Sequence, residues 1–70
     1  MNSRNNHKLT RRHVQVLQLM ARGCTSEETA KKLGINAKTV SAHRASLLVR
    51  LNAQNGPHAV YLGVKKGLIR

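Results

Sequence analysis

The sequence TSEETAKKLGINAKTVSAH, which begins at Thr25, carries two helix patterns on either side of one glycine. Thr25 followed three residues later by a glutamate is the pattern of a capping box, which begins a helix. Gly34 and Val40 follow Ala30 by four and ten residues. A small residue at Ala30 lets two helices approach closely, Gly34 turns the chain at positive φ, and Val40 fills the angle between the helices. The stretch therefore predicts two helices joined by a short turn.

Apolar residues at helical spacing predict one further helix on each side of this pair. Thr10 is suited to be the N-cap of the first helix and Gly23 to end it. His13 stands where a capping box prefers Glu, so we expect that half of the cap to be missing. Pro57 fits the first turn of the last helix, and Gly67 can end it. The expected fold class is all-α, with four helices at about 10–22, 26–34, 37–52 and 57–66.

The charge of the chain indicates a polyanionic partner. Thirteen Lys and Arg against two Asp and Glu give a formal net charge of +11 in 70 residues. Duplex DNA, RNA and acidic lipid surfaces all fit this charge. Two helices joined by a short turn that contains glycine form the helix-turn-helix motif, whose second helix enters the major groove of DNA. The two observations together favour DNA.

Composition excludes several other classes of protein. A chain of 70 residues supports one small domain, which disfavours a two-domain enzyme. A single cysteine, Cys24, cannot form an internal disulfide, and Tyr61 is the only aromatic residue available for stacking on bases. The sequence contains no apolar run of membrane-spanning length and does not open like a signal peptide. We therefore expect no membrane partner and a cytoplasmic location.

No arrangement of residues in the sequence is typical of catalysis or metal binding. The four histidines have no metal-ligand spacing, and both acidic residues fall in the capping turn after Thr25. Without a further carboxylate, no histidine can be oriented as in a catalytic triad. We expect no enzyme activity, no cofactor, no metal and no small-molecule ligand.

The sequence resembles the LuxR-type (GerE-like) DNA-binding domain. The matching motifs run in register over residues 9–69 and include Leu9-Thr10-x-Arg12, Glu28-x-Ala30-x-x-Leu33-Gly34-Ile35 and Lys38-Thr39-Val40-x-x-His43. The resemblance implies a four-helix helix-turn-helix domain whose third helix docks in the major groove and whose fourth helix often forms a dimer. It also implies a transcriptional regulator that binds a two-fold related site on double-stranded DNA as a homodimer. Residues 9–70 are then the DNA-binding domain, and residues 1–8 are expected to be a flexible basic arm.

The third helix supplies the expected DNA-binding residues. Lys38, Thr39 and Arg50 match positions that would hold the DNA backbone. Arg44 is the best candidate to reach a base edge or a phosphate. The remaining residues are small where many relatives carry longer polar side chains, so they can touch thymine methyls but cannot make a bidentate contact to guanine. The full expected set is Lys38, Thr39, Ser41, Ala42, Arg44, Ala45 and Arg50.

The fourth helix supplies an expected dimer interface. Its apolar residues outside the expected core form an adjoining stripe at helical spacing, consisting of Pro57, Val60, Tyr61 and Val64. An exposed stripe of this kind suits a two-fold interface. In so small a domain the same residues could instead complete the core.

Two other functions remain open at this point. The chain could be a small antagonist that forms a heterodimer with a related regulator, or it could coat nucleic acid without sequence preference. The initial Met and the arm before the matching region favour a stand-alone regulator over a domain cut from a longer protein.

Overall fold

The fold is all-helical over residues 9–70, which are the residues that the computed structural model describes. The four helices are α1 (Arg11–Ala21), α2 (Ser26–Leu33), α3 (Ala37–Leu51) and α4 (Gly56–Lys65). The expected fold class is confirmed, and each helix lies within about one residue of its expected bounds. The expected arm, residues 1–8, lies outside the described part of the chain. None of the helices in residues 9–70 is long and apolar enough to cross a membrane.

Side-chain caps fix where the helices begin. The side chains of the four N-cap residues accept a hydrogen bond from the third backbone N–H of each helix; these residues are Thr10, Thr25, Asn36 and Asn55. In α1 the second half of the capping box is also present, because Nδ1 of His13 accepts the Thr10 N–H at 3.2 Å. The expectation that histidine removes this cap is therefore wrong. A neutral imidazole carries one acceptor nitrogen, which replaces the glutamate oxygen here.

Left-handed residues end the helices and allow tight turns. After α2, Gly34 has φ 71°, and the Ile35 N–H donates to the Ala30 carbonyl at 3.1 Å. After α3, Asn52 has the left-handed conformation, with φ 57°, and the Ala53 N–H donates to the Leu48 carbonyl at 2.8 Å. These closures satisfy carbonyls that a helix end would otherwise leave unpaired.

One apolar core joins all four helices. Leu17 of α1 and Leu47 of α3 are its largest fully buried side chains. Gly63 lets α4 approach α1 closely, because a Cβ there would lie 2.8 Å from a methyl of Leu17. The buried core consists of Val16, Leu17, Ala30, Val40, Leu47, Leu51, Ala59 and Ile69. Thr29 is also fully buried, and its hydroxyl has no hydrogen-bond partner among the described residues.

Candidate nucleic-acid interface

The helix α3 has one buried face and one exposed face. Val40, Leu47 and Leu51 point into the core and are at most 2% exposed. The opposite face, which we call the outer face, is exposed to solvent and carries Lys38, Ser41, Ala42, Ala45 and Val49. Packing against the other helices therefore presents this row of side chains outward.

The turn between α2 and α3 fixes the direction of α3. Gly34 adopts the left-handed conformation that its sequence position predicts. Asn36 then begins α3, and its Oδ1 accepts both the backbone N–H of Thr39 at 2.8 Å and the Thr39 hydroxyl at 3.0 Å. Thr39, an expected backbone-binding residue, is half-buried and takes part in this cap. The first turn of α3 is thereby held in place from within the protein.

The two expected arginines lie at the sides of the outer face. Arg44 is half-buried, and its Nη1 donates to the hydroxyl of Ser26 at 3.0 Å, which ties α3 to the beginning of α2. Arg50 is exposed near the end of α3, and its Nε donates to the hydroxyl of Ser46 at 3.4 Å. Lys38 is exposed in the first turn. Cations therefore lie at both ends of the outer face and beside it.

Carboxylates are absent from α3, as its sequence shows. Both acidic residues of the chain lie in the first turn of α2, where the helix dipole favours negative charge. Glu28 is held there, since its carboxylate accepts the Thr25 N–H at 2.8 Å. No acidic side chain on α3 therefore opposes the approach of a polyanion to the outer face.

A pair of imidazoles lies between α1 and α3. The ring of His13 is 5% exposed and meets the ring of His43 edge-on, with the ring centroids 5.7 Å apart. Burial lowers the pKa of His13 below its usual value, and the charges of Arg50 and His43 lower it further. Sequence reasoning missed this pair, because the two residues are distant in the sequence and meet only through the packing of α1 on α3.

The fourth helix presents Tyr61 and Val64 away from the core, whereas Val60 packs partly against it. Pro57 is exposed and Val60 is half-buried, whereas Tyr61 and Val64 are 58% and 51% exposed. The Tyr61 ring stacks on the imidazole of His58 at 6.4 Å between centroids. Tyr61 and Val64 therefore do not complete the core of the monomer.

These features define an all-α helix-turn-helix domain in which α3 has an exposed face and no carboxylate. Domains of this class bind DNA. The chain belongs to the family described as bacterial regulatory proteins, luxR family (GerE), whose model matches residues 7–62. The resemblance inferred from the sequence is thereby confirmed. By this family, the chain carries the DNA-binding domain of bacterial regulatory proteins.

Curated relatives agree with this family. The chain is 36% identical over 61 residues to the oxygen regulatory protein NreC of Staphylococcus carnosus, a match that covers 87% of this chain and 28% of the relative. Proteins of the same name from Staphylococcus epidermidis and Staphylococcus aureus are 34% identical over 61 residues with the same coverage. The chain therefore spans about 28% of the length of these relatives.

Proposed function

We propose that the protein recognises specific sites on double-stranded DNA by placing α3 in the major groove. The observation that carries this proposal is the outer face of α3, which combines exposure, small side chains and flanking cations. The major groove is about 12 Å wide and admits an α-helix. Small residues at Ser41, Ala42 and Ala45 allow α3 to approach the bases closely. Bacterial DNA lies in the cytoplasm, where we expect the protein to act.

The charged residues around the outer face hold the DNA backbone in this proposal. Lys38 and Arg50 lie near opposite ends of α3 and contact phosphates there. Arg44 contacts a phosphate beside α2, because its guanidinium has donors beyond the one bonded to Ser26. Thr39 adds a contact from the beginning of α3 when its hydroxyl donates to a phosphate oxygen instead of to Asn36. These contacts position α3 but do not select a base sequence.

The exposed residues of α4 form a two-fold dimer interface in this proposal. Pro57, Val60, Tyr61 and Val64 would be covered by the same residues of a second copy. A symmetric dimer on DNA brings two copies of α3 to half-sites about 34 Å, or one helical turn, apart. A related regulator with a similar α4 would compete for the same surface, which is how a heterodimer would form.

Salt-dependent binding tests the proposed backbone contacts. The affinity of the full chain for a selected duplex is measured by fluorescence anisotropy between 50 and 200 mM salt. Each phosphate contact contributes about 0.9 to the slope of log affinity against log salt. Lys38→Ala and Arg50→Ala should each weaken binding to every duplex and reduce this slope by about one.

The matched control is Lys66→Ala, which removes an exposed cation from the end of α4. The salt slope of this variant should lie closer to that of the unchanged protein than the slopes of Lys38→Ala and Arg50→Ala do. Equal slopes for all three variants would contradict the placement of α3 on DNA. If random duplex displaces the selected duplex equally well, the protein binds DNA without sequence preference. If it binds a related regulator tightly and DNA weakly, it is an antagonist of that regulator.

A further inference from the structure

The outer face of α3 is apolar between its charged ends. Ala42 and Ala45 are exposed, and Val49 is 79% exposed, more than any other large hydrophobic residue in the described chain. Ser41 is the one polar residue among them. A folded domain does not need an exposed valine for its core, so this row is available to a ligand.

Side chains that make paired hydrogen bonds to guanine or adenine are missing from the outer face between Ser41 and Val49. Guanine is read by Arg or Lys, and adenine by Asn or Gln, through paired hydrogen bonds. The arginine in this stretch, Arg44, is directed toward Ser26 of α2. The apolar group that the major groove offers to Ala and Val side chains is the 5-methyl group of thymine.

We propose that α3 selects its binding site through thymine methyl groups, which Ala42, Ala45 and Val49 contact in the major groove. This inference rests on the function proposed above and adds the chemistry of the sequence that is recognised. Val49 lies seven positions after Ala42, which is about 10.5 Å along a helix. This length matches about three steps of 3.4 Å along a DNA strand. The half-site therefore contains thymines within a few neighbouring base pairs.

The charges beside the row favour DNA over an apolar protein as its ligand. Lys38 and Arg50 lie near the two ends of the outer face, and no carboxylate lies on α3. An apolar protein partner would bury these cations against its own surface at a cost in desolvation. On DNA the same cations meet phosphates while the small side chains meet bases.

Uracil and 5-methylcytosine test the inference directly. A duplex is first obtained by selection from random sequence at physiological salt, and each thymine is then replaced by deoxyuridine, which removes only the methyl group. We expect each contacted methyl to be worth about fourfold in affinity, as the burial of one methylene-sized group predicts. Replacing the contacted thymine–adenine pair by 5-methylcytosine–guanine should retain more affinity than replacing it by cytosine–guanine.

Variants assign the effect to this face. Val49→Ala should reduce the thymine-to-uracil difference at one position, because alanine offers less apolar surface to the methyl, and should leave the fold unchanged, because the side chain lies mostly in solvent. The control is Gln15→Ala, which shortens an exposed side chain on α1 and should leave that difference unchanged at every position. Circular dichroism at matched temperature checks that both variants are folded.

Each outcome is decisive. A selected site that binds equally well with uracil in place of every thymine, or one that is rich in guanine and cytosine, overturns the inference while the protein still binds specific DNA. A protein that selects no sequence from random duplex refutes the proposed function together with the inference. The loss of affinity on replacing thymine by uracil could also persist unchanged in Val49→Ala, Ala45→Gly and Ala42→Gly. This result would place the methyl contacts on another surface and would also overturn the inference.

Discussion

Replacing threonine by valine inside α2 and at its N-cap should change stability in opposite directions. Thr29 is fully buried, and its hydroxyl has no hydrogen-bond partner among the described residues. Thr25 is exposed and caps α2, since its hydroxyl accepts the Glu28 N–H at 3.1 Å. Valine has almost the same shape as threonine and is also β-branched, so each substitution mainly removes a hydroxyl.

The magnitudes follow from the two environments. A buried polar group without a partner costs about 1–3 kcal/mol, so Thr29→Val should raise the free energy of unfolding by about 1 kcal/mol or more. Loss of an N-cap costs about 1 kcal/mol, so Thr25→Val should lower it by that amount. For a domain of this size, about 1 kcal/mol corresponds to a Tm change of about 4–8 °C.

Urea and thermal unfolding followed by circular dichroism measure both effects. Thr29→Ala serves as a further control, because it removes the hydroxyl but also leaves a cavity, and should not stabilise as Thr29→Val does. Neither valine variant changes the outer face of α3, so neither should alter the salt dependence of DNA binding. A Thr29→Val protein that is less stable than the unchanged chain would show that this hydroxyl has a partner, and would refute the reasoning.

Three further predictions concern α1, α3 and α4. Because burial, Arg50 and His43 lower the pKa of His13, its contribution to stability is present above the usual value of 6.5 and is lost as pH falls through the lowered pKa. His13→Gln, which keeps an acceptor for the α1 cap, should make urea unfolding less dependent on pH over this range, and an unchanged dependence would contradict the assignment. Arg44→Ala should weaken binding to all duplexes by about ten- to a hundredfold, as loss of one charged contact predicts, whereas loss of preference at a single base pair would show that Arg44 reads a base. Val64→Glu should leave the monomer folded but abolish cooperative binding to paired half-sites, and unfolding instead would place this residue in the core.

The local signals in the sequence were sufficient for most of the fold. Caps at Thr10, Thr25 and Asn36 and left-handed glycines act over a few residues, so their positions predict where helices begin and end. The outer face of α3 was also predictable, because helical spacing separates it from the buried stripe at Val40.

Contacts between distant segments were not predictable in this way. The edge-on pair of His13 and His43 depends on how α1 crosses α3, which local spacing does not specify. The hydrogen bond from Arg44 to Ser26 likewise depends on the angle between α2 and α3. The sequence also left open whether Tyr61 completes the core, because its exposure depends on how α4 packs.

The cap that His13 provides in α1 was not predicted from the sequence for a different reason. A rule that prefers glutamate at the third helical position describes one acceptor, whereas the geometry requires only that some acceptor reach the Thr10 N–H. His58 acts similarly at the beginning of α4, where its Nδ1 accepts the N–H of Gln54, the residue before the N-cap, at 3.0 Å. The same chemistry therefore recurs in two helices of this chain.

Amide chemical shifts during titration with a selected duplex would test the central claim most directly. The full chain is labelled with nitrogen-15 and titrated at physiological salt with the duplex and with an unrelated one. We predict that the largest changes specific to the selected duplex lie on α3, between Lys38 and Arg50. Changes concentrated on α1 or on the exposed side of α4, with α3 unaffected, would contradict the placement of α3 in the groove.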